Sequence, residues 1–173
     1  MMNSTNKEIF DEIKATFKNI EFEKIDERKY SVVIPNEKAV SFLEMLKRKG
    51  FSHMSLITCI DWITEKEFEI GYTLFNWETG TIIMAKTRVD RDNAVLPTVM
   101  EIWPTAKYYE RDIHEFFGVK FEGNPDLRPL ILEKWEEIPP MRKDFDSEKY
   151  SKEHFPERVY NVDFPLEGSE SNE

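Results

Sequence analysis

Two alternating runs joined by a tight turn leave the middle of this chain little freedom in how it folds. Phe68, Ile70, Tyr72 and Leu74 fall on one side of an extended segment, and after Glu78-Thr79-Gly80 a second run extends from Thr81 to Val89. Successive side chains of a strand point to opposite faces, so the first run reads as a half-buried strand. The short Gly-containing turn makes the two an antiparallel hairpin. A third run precedes them, with Met54, Leu56, Thr58, Ile60 and Trp62 expected on one face. Upstream again, Lys29–Ile34 alternates Tyr30, Val32 and Ile34, the pattern of a short strand.

Helices are expected around these strands. Ile9, Ile13, Phe17 and Ile20 recur at helical spacing over residues 5–20, behind Ser4 or Thr5 as caps. A second helix is predicted from about Asn36 to Lys49, burying Ala39, Phe42, Leu43 and Leu46 and stopped by Gly50. Asp90–Asn93 reads as a polar link. Pro97 suits the first turn of a short helix that ends before Pro104. Thr105 then caps a further helix, with Tyr109, Ile113, Phe116 and Phe117 as its apolar side and Gly118 as its stop. The expected fold is α+β over residues 1–120: a single, mostly antiparallel sheet of about four strands with packed helices.

Charge and cysteine content exclude several functions. The 34 acidic residues outnumber the 24 basic ones, for a formal charge of -10. A surface of that sign does not neutralise phosphates, so a nucleic-acid partner is not expected, and anionic lipid is disfavoured too. No apolar run approaches the roughly 20 residues that cross a bilayer, and no signal-peptide core is evident. The chain by itself is expected to be soluble and intracellular. Cys59 is the sole cysteine, so there is no intrachain disulfide and no ligand set for an iron–sulfur cluster or nickel. His53, His114 and His154 lack metal-ligand spacing. The absence of glutamine beside abundant Lys, Glu and Ile leans towards a thermophile.

The character changes after Phe121. Six of the nine prolines lie beyond it, yet Phe121, Trp135, Phe145, Tyr150, Phe155, Tyr160 and Phe164 stud the segment. A disordered tail is normally poor in aromatics. Residues 121–173 therefore read as an extended docking arm, anchored by its rings on another protein, with a frayed acidic end at Glu167–Glu173. The alternative is an arm folded back over its own sheet.

The charged residues of the last helix invite an acid–base reading. At i, i+4 spacing, Glu110 faces His114 and Arg111 faces Glu115, which is the ordinary pattern of a charged helix face. No nucleophile, oxyanion site or metal motif accompanies them, so no catalytic, cofactor or metal residue is assigned. Gly118, Gly123 and Asn124-Pro125-Asp126 form no phosphate loop and read as a turn. Arg111, Arg128 and Arg142 sit among apolar steps, where arginine makes planar pairs with carboxylates; Arg128 is placed to fasten Asp126 or nearby carbonyls.

From Tyr108-Tyr109-Glu110-Arg111-Asp112 through Phe116-Phe117-Gly118-Val119-Lys120-Phe121, Gly123-Asn124-Pro125-Asp126-Leu127-Arg128 and Trp135 to Arg142-Lys143-Asp144-Phe145, the order and spacing follow one long pattern. It resembles the signature of the thirty-kilodalton subunit of respiratory complex I and its counterparts in energy-converting membrane-bound nickel–iron hydrogenases. Asn124 departs from it, standing where the family usually has His. That leaves open whether an amide hydrogen bond replaces the contact or the contact is lost. The resemblance covers roughly Ser55 to Phe145. It implies a non-catalytic hydrophilic subunit that scaffolds a large hydrogenase-type subunit and a small iron–sulfur subunit. The iron–sulfur clusters and nickel–iron would then belong to those partners. It implies a place on the cytoplasmic face of the membrane, reached through partners, in an assembly that couples proton reduction to ion translocation; a quinone- or sulfur-reducing relative is the alternative. On this reading the docking residues are Tyr109, Glu110, Arg111, Asp112, Phe117, Gly118, Phe121, Pro125, Asp126, Leu127, Arg128, Trp135, Arg142, Lys143 and Asp144.

Overall fold

The structure is a computed structural model that describes residues 4–18, 20–132 and 135–155. The expected 78–80 turn is present, and the hairpin it joins, β4 (Glu67–Asn76) with β5 (Thr81–Asp90), is the centre of the fold. Phe68, Ile70, Tyr72 and Leu74 all face inward, as their alternation requires, and meet Ile83 and Ala85 of β5. On one side β5 is followed by β2 (Lys29–Val33) and then β1 (Phe22–Asp26); on the other, β4 pairs with β3 (His53–Trp62).

This sheet has five strands and is mixed, where about four mostly antiparallel strands were expected. The added strand is β1, whose burial pattern is almost wholly exposed, so no apolar alternation announces it. The parallel step is β2 against β5. A parallel neighbour needs a long connection, and the α2–β3–β4 excursion supplies one.

Helices α1 (Ser4–Thr16), α2 (Ala39–Arg48) and α3 (Ala106–Phe117) pack into one core with the inward side of the sheet. The stripe predicted for α2 is the buried one: Phe42, Leu43 and Leu46 are each 0% exposed, worth roughly 1.5–3 kcal/mol apiece as an upper bound. Residues Asn36–Lys38, expected at its start, form a separate 3-10 turn. The outward side of the sheet leaves Val33, Leu56 and Ile60 exposed.

Three expectations fail locally. In β3 the pairing shifts between Met54 and Leu56, a bulge that adds one residue and turns the rest of the strand over. Met54 is buried as expected, but Ile57 and Asp61 then point inward while Leu56 and Ile60 point out. Pro97 does not open a helix. It ends a short strand, β6 (Val95–Pro97), paired in parallel with β7 (Lys120–Glu122), and a single turn follows at Val99–Trp103. A proline at a strand end forfeits no ladder bond. Finally, Thr105 stands at the N-cap of α3 without a side-chain bond, because its backbone is already helical.

Within the segment read as an extended arm, Ser147–His154 forms a helix, α4. Asp146 caps it, accepting from the Lys149 N–H at 2.9 Å. Tyr160, Phe164 and Glu167–Glu173 lie outside the described residues.

Candidate functional site

The site is built around α3, whose inner stripe keeps Ile113 and Phe117 as expected but is completed by Ala106 and Glu110. Ala106, Glu110, Ile113 and Phe117 are buried, at i, i+4, i+7 and i+11, and Tyr109 and Phe116 are only partly so. Glu110 is 0% exposed, which overturns the reading that it faces His114 on a charged outer face. Its carboxylate is held by neutral donors from two other segments: Thr98 Oγ1 at 2.6 Å, the Val99 N–H at 2.7 Å and Asn124 Nδ2 at 2.9 Å. Burial pushes its pKa up, and these three bonds partly offset that. Asn124 also accepts from the Asp126 N–H at 3.1 Å. An amide bond thus occupies the position where relatives are expected to carry His.

The opposite side of α3 holds a loop by its backbone. Arg111 donates through Nε to the Arg128 carbonyl and through Nη2 to the Pro129 carbonyl at 2.7 Å, with Asp126 3.7 Å from its Nη1. Glu115 accepts from the N–H groups of Leu130 (2.7 Å), Ile131 (3.0 Å) and Leu132. Arg111 and Glu115 therefore serve the loop, not each other as the helical spacing predicted. Arg128 closes a two-bond pair on Asp126 at 2.8 and 3.0 Å, as expected, and this arginine holds the Asp126 carboxyl well below the usual range. Burial, reinforced by Glu115 nearby, raises the Asp112 carboxyl. Gly118 ends α3 at φ +83, a left-handed value that strains any side chain, while its N–H returns to the His114 carbonyl. His114 Nδ1 lies 2.8 Å from the Val119 carbonyl; a carbonyl only accepts, so that nitrogen carries the proton.

A second assembly ties the segment 135–155 to the end of the sheet. Arg91 lies between two carboxylates. It donates to Asp61 through Nε (2.8 Å) and Nη2 (3.0 Å), and to Asp144 through Nη2 (2.6 Å) and Nη1 (3.2 Å). The Lys143 N–H adds a bond to Asp61 at 2.9 Å, and Arg142 Nε reaches Asp144 at 3.3 Å. Burial alone would raise the Asp61 carboxyl, but Arg91 and the Lys143 N–H outweigh it and hold it low. Arg91 likewise lowers Asp144. Arg91 and Arg142 lie over the Phe68 ring at 5.6 and 5.7 Å, and Lys143 lies over Trp62 at 6.0 Å. Trp135 meets Phe145 edge-on at 5.4 Å and Tyr150 at a tilt at 4.9 Å, a small aromatic cluster within the segment itself.

The remaining residues singled out from sequence find definite places. Phe117 meets Phe68 edge-on at 6.0 Å, Phe121 is buried on β7, and Leu127 packs against the core. Tyr109 donates its hydroxyl to the Ser55 carbonyl at 2.8 Å, satisfying the backbone at the β3 bulge. Pro125 is exposed. Asp61 and Arg91 are the residues of this arrangement that sequence reasoning misses. Arg91 continues the inward alternation of Ala85, Thr87 and Val89, so its direction is readable; Asp61 is hidden by the bulge. Among the described residues no three His, Cys, Asp or Glu side chains are grouped to hold a metal ion. The buried and half-buried charges here bind backbone and one another; their chemistry is that of fastening loops.

Known proteins share the fold and much of the sequence. The family model described as "Respiratory-chain NADH dehydrogenase, 30 Kd subunit" matches residues 32–151. A subunit of the NADH-quinone oxidoreductase of Moorella thermoacetica is 30% identical over 116 residues, 66% of this chain and 78% of that protein. A subunit of the F(420)H(2) dehydrogenase of Methanosarcina mazei is 29% identical over 65% of this chain and 73% of its own length. A chain in the membrane-bound sulfane sulfur reductase, an archaeal respiratory membrane complex, superposes with a TM-score of 0.83 at 38% identity, covering 94% of this chain and 100% of that one. A trypsin-resistant fragment of Nqo5 matches with a TM-score of 0.61 at 27% identity, over 71% of this chain and 99% of the fragment. This chain belongs to the family of the 30 Kd subunit of the respiratory-chain NADH dehydrogenase.

Proposed function

We propose that this chain is a scaffolding subunit of a membrane-bound, complex I-like oxidoreductase, with no catalytic step of its own. It docks through the α3 region and the segment beyond β7 onto a large subunit of hydrogenase type and a small iron–sulfur subunit. The observation that carries this is the likeness along the full length of a chain in the sulfane sulfur reductase complex. The geometry is in keeping with it, since Glu110, Arg111 and Glu115 of the long motif are engaged in holding loop groups. No helix among the described residues is long and apolar enough to cross a membrane, so association through partners is the reading that follows.

The same likeness favours a sulfur-reducing assembly over the hydrogenase expected from sequence. The partner decides between them: a large subunit with two Cys-x-x-Cys pairs can hold nickel, and one without them cannot. The test is purification in mild detergent through a tag on this chain, followed by identification of the proteins that accompany it. Recovery of a hydrogenase-type large subunit and an iron–sulfur subunit is expected. A tagged chain that comes out alone from intact membranes overturns the proposal. The isolated chain is expected to hold no iron or nickel, and stoichiometric metal in it would also defeat this reading.

A further inference from the structure

The loop after Asp126 is held in a way that its own burial does not require. Two side chains of α3, Arg111 and Glu115, bind five successive backbone positions from Arg128 to Leu132. A loop fastened by its backbone is free to carry polar side chains, and surface loops normally do. This one carries Leu130 at 44% and Ile131 at 63% exposure. Beside it lies a cleft of about 270 Å³ lined in part by Leu127, Leu132 and Trp135, and further along the chain Ile138 and Met141 are exposed at 45% and 58%. Aliphatic side chains on a backbone already fixed give an interface its area without the entropy cost of ordering the loop on binding.

Charge identifies the class of partner. Glu137 lines the cleft and its neighbour Glu136 is exposed, while Arg128, exposed on the loop itself, is paired with Asp126. Among the described residues the charge beside the loop is therefore net acidic, on a chain whose formal charge is -10. Interfaces place apolar groups at the centre and complementary charge at the rim. An anionic membrane surface would be repelled by that charge, so a protein is the fitting occupant.

We infer that the Leu127–Leu132 loop is a preformed docking knuckle. Leu130 and Ile131 enter an apolar socket on a neighbouring subunit whose margin carries Lys or Arg side chains. The inference rests on the subunit role proposed above and deepens it by naming the contact and its chemistry.

The experiment uses the whole complex, purified through a tag on this chain, with a photoreactive side chain introduced at position 131. Adducts are expected on an apolar peptide of a partner subunit flanked by Lys or Arg. In parallel, Leu130→Asp with Ile131→Asp should lower partner recovery by about tenfold or more, the scale of a central hot spot. The isolated variant chain should unfold at the wild-type midpoint, because both side chains are exposed. Charge reversal with Glu136→Lys and Glu137→Lys should weaken recovery less and make it less sensitive to salt. Full recovery of partners by the double Asp variant, or adducts on lipid, on this chain itself or on an acidic peptide, overturns the knuckle while leaving the subunit role intact. A wild-type tag that brings no partners removes the subunit role, and the knuckle with it.

Discussion

Glu110 and Asp61 are carboxylates under the same core, yet the protein keeps them by opposite means. Glu110 is surrounded by neutral donors, a hydroxyl, a backbone N–H and an amide, and its pKa is raised. Asp61 meets a buried arginine with two bonds and its pKa is lowered. The first arrangement joins α3 to the turn just after β6 and to the Asn124 turn, all close in sequence. The second joins the end of the sheet to Asp144, 53 residues beyond Arg91. Neutral donors suffice to knit neighbouring segments that the core already brings together. The distant segment is held by a guanidinium shared between two acids, with Arg142 supplying the second positive charge.

Removing the cation should give the largest effect. Arg91→Met leaves Asp61 buried without its partner, and breaking a buried pair from one side costs about 3–5 kcal/mol. Asp144 is 37% exposed and recovers solvation, so the low end, about 3 kcal/mol, is expected from urea unfolding. Asp61→Asn in the Arg91→Met background should restore part of the loss. If it makes matters worse, the triad is not the source of the effect.

Next in size is Glu110→Ala, which strands three donors, one of them the buried Val99 N–H. Each unsatisfied buried group costs about 1–3 kcal/mol, and water entering the vacated space limits the sum to about 2–4 kcal/mol. Glu110→Gln keeps one acceptor oxygen but turns an amide N–H₂ towards donors, and should lie between. A wild-type midpoint for Glu110→Ala would show that these bonds contribute nothing net.

How each arrangement can be read from sequence follows the same division. Half of the α3 stripe, Ile113 and Phe117, is legible from its spacing, and the buried line they continue runs through Glu110 to Ala106. Sequence alone places the glutamate outward because a carboxylate rarely occupies an apolar stripe, and no local pattern reveals that Thr98, Val99 and Asn124 converge on it. The hairpin and α2 are legible because alternation and the 3.6-residue period are local properties. The β1 strand and the β3 bulge are not: one has no apolar face, and the other is a single inserted residue that reverses everything after it. Resemblance alone picks out Asp144, since nothing local links it to Arg91.

The two arrangements should also part company with pH, by a smaller amount. The lowered carboxyls, Asp61 and Asp144, contribute stability that is present above the unfolded Asp value of about 3.9. That contribution is lost as pH falls through their depressed folded values. The raised Glu110 works the other way: its contribution is complete below the unfolded Glu value of about 4.3 and declines as pH rises through its folded value. Unfolding midpoints measured through the acid range should therefore show a smaller acid limb in Asp144→Asn, with Asp61 supplying part of what remains, and should decline less on the rising side in Glu110→Gln. Identical pH profiles in both variants would erase the distinction.

The smallest expected effect probes the bulge that joins both arrangements to the sheet. Because the pairing of β3 shifts beside Ser55, the strand beyond it turns Asp61 inward, where Arg91 can reach it. Tyr109, one residue before Glu110 on α3, donates its hydroxyl to the Ser55 carbonyl. A partly buried neutral hydrogen bond of this kind contributes about 0.5–1.5 kcal/mol. Tyr109→Phe should lower the unfolding free energy by about that amount, and amide exchange should quicken at Leu56 and Ile57 more than in β4. The Arg91 triad should survive, because the inserted residue, not the tyrosine, sets the register. A variant that also lost the pH behaviour of Asp61 would show that the bulge depends on Tyr109, and the two arrangements would then be one coupled unit.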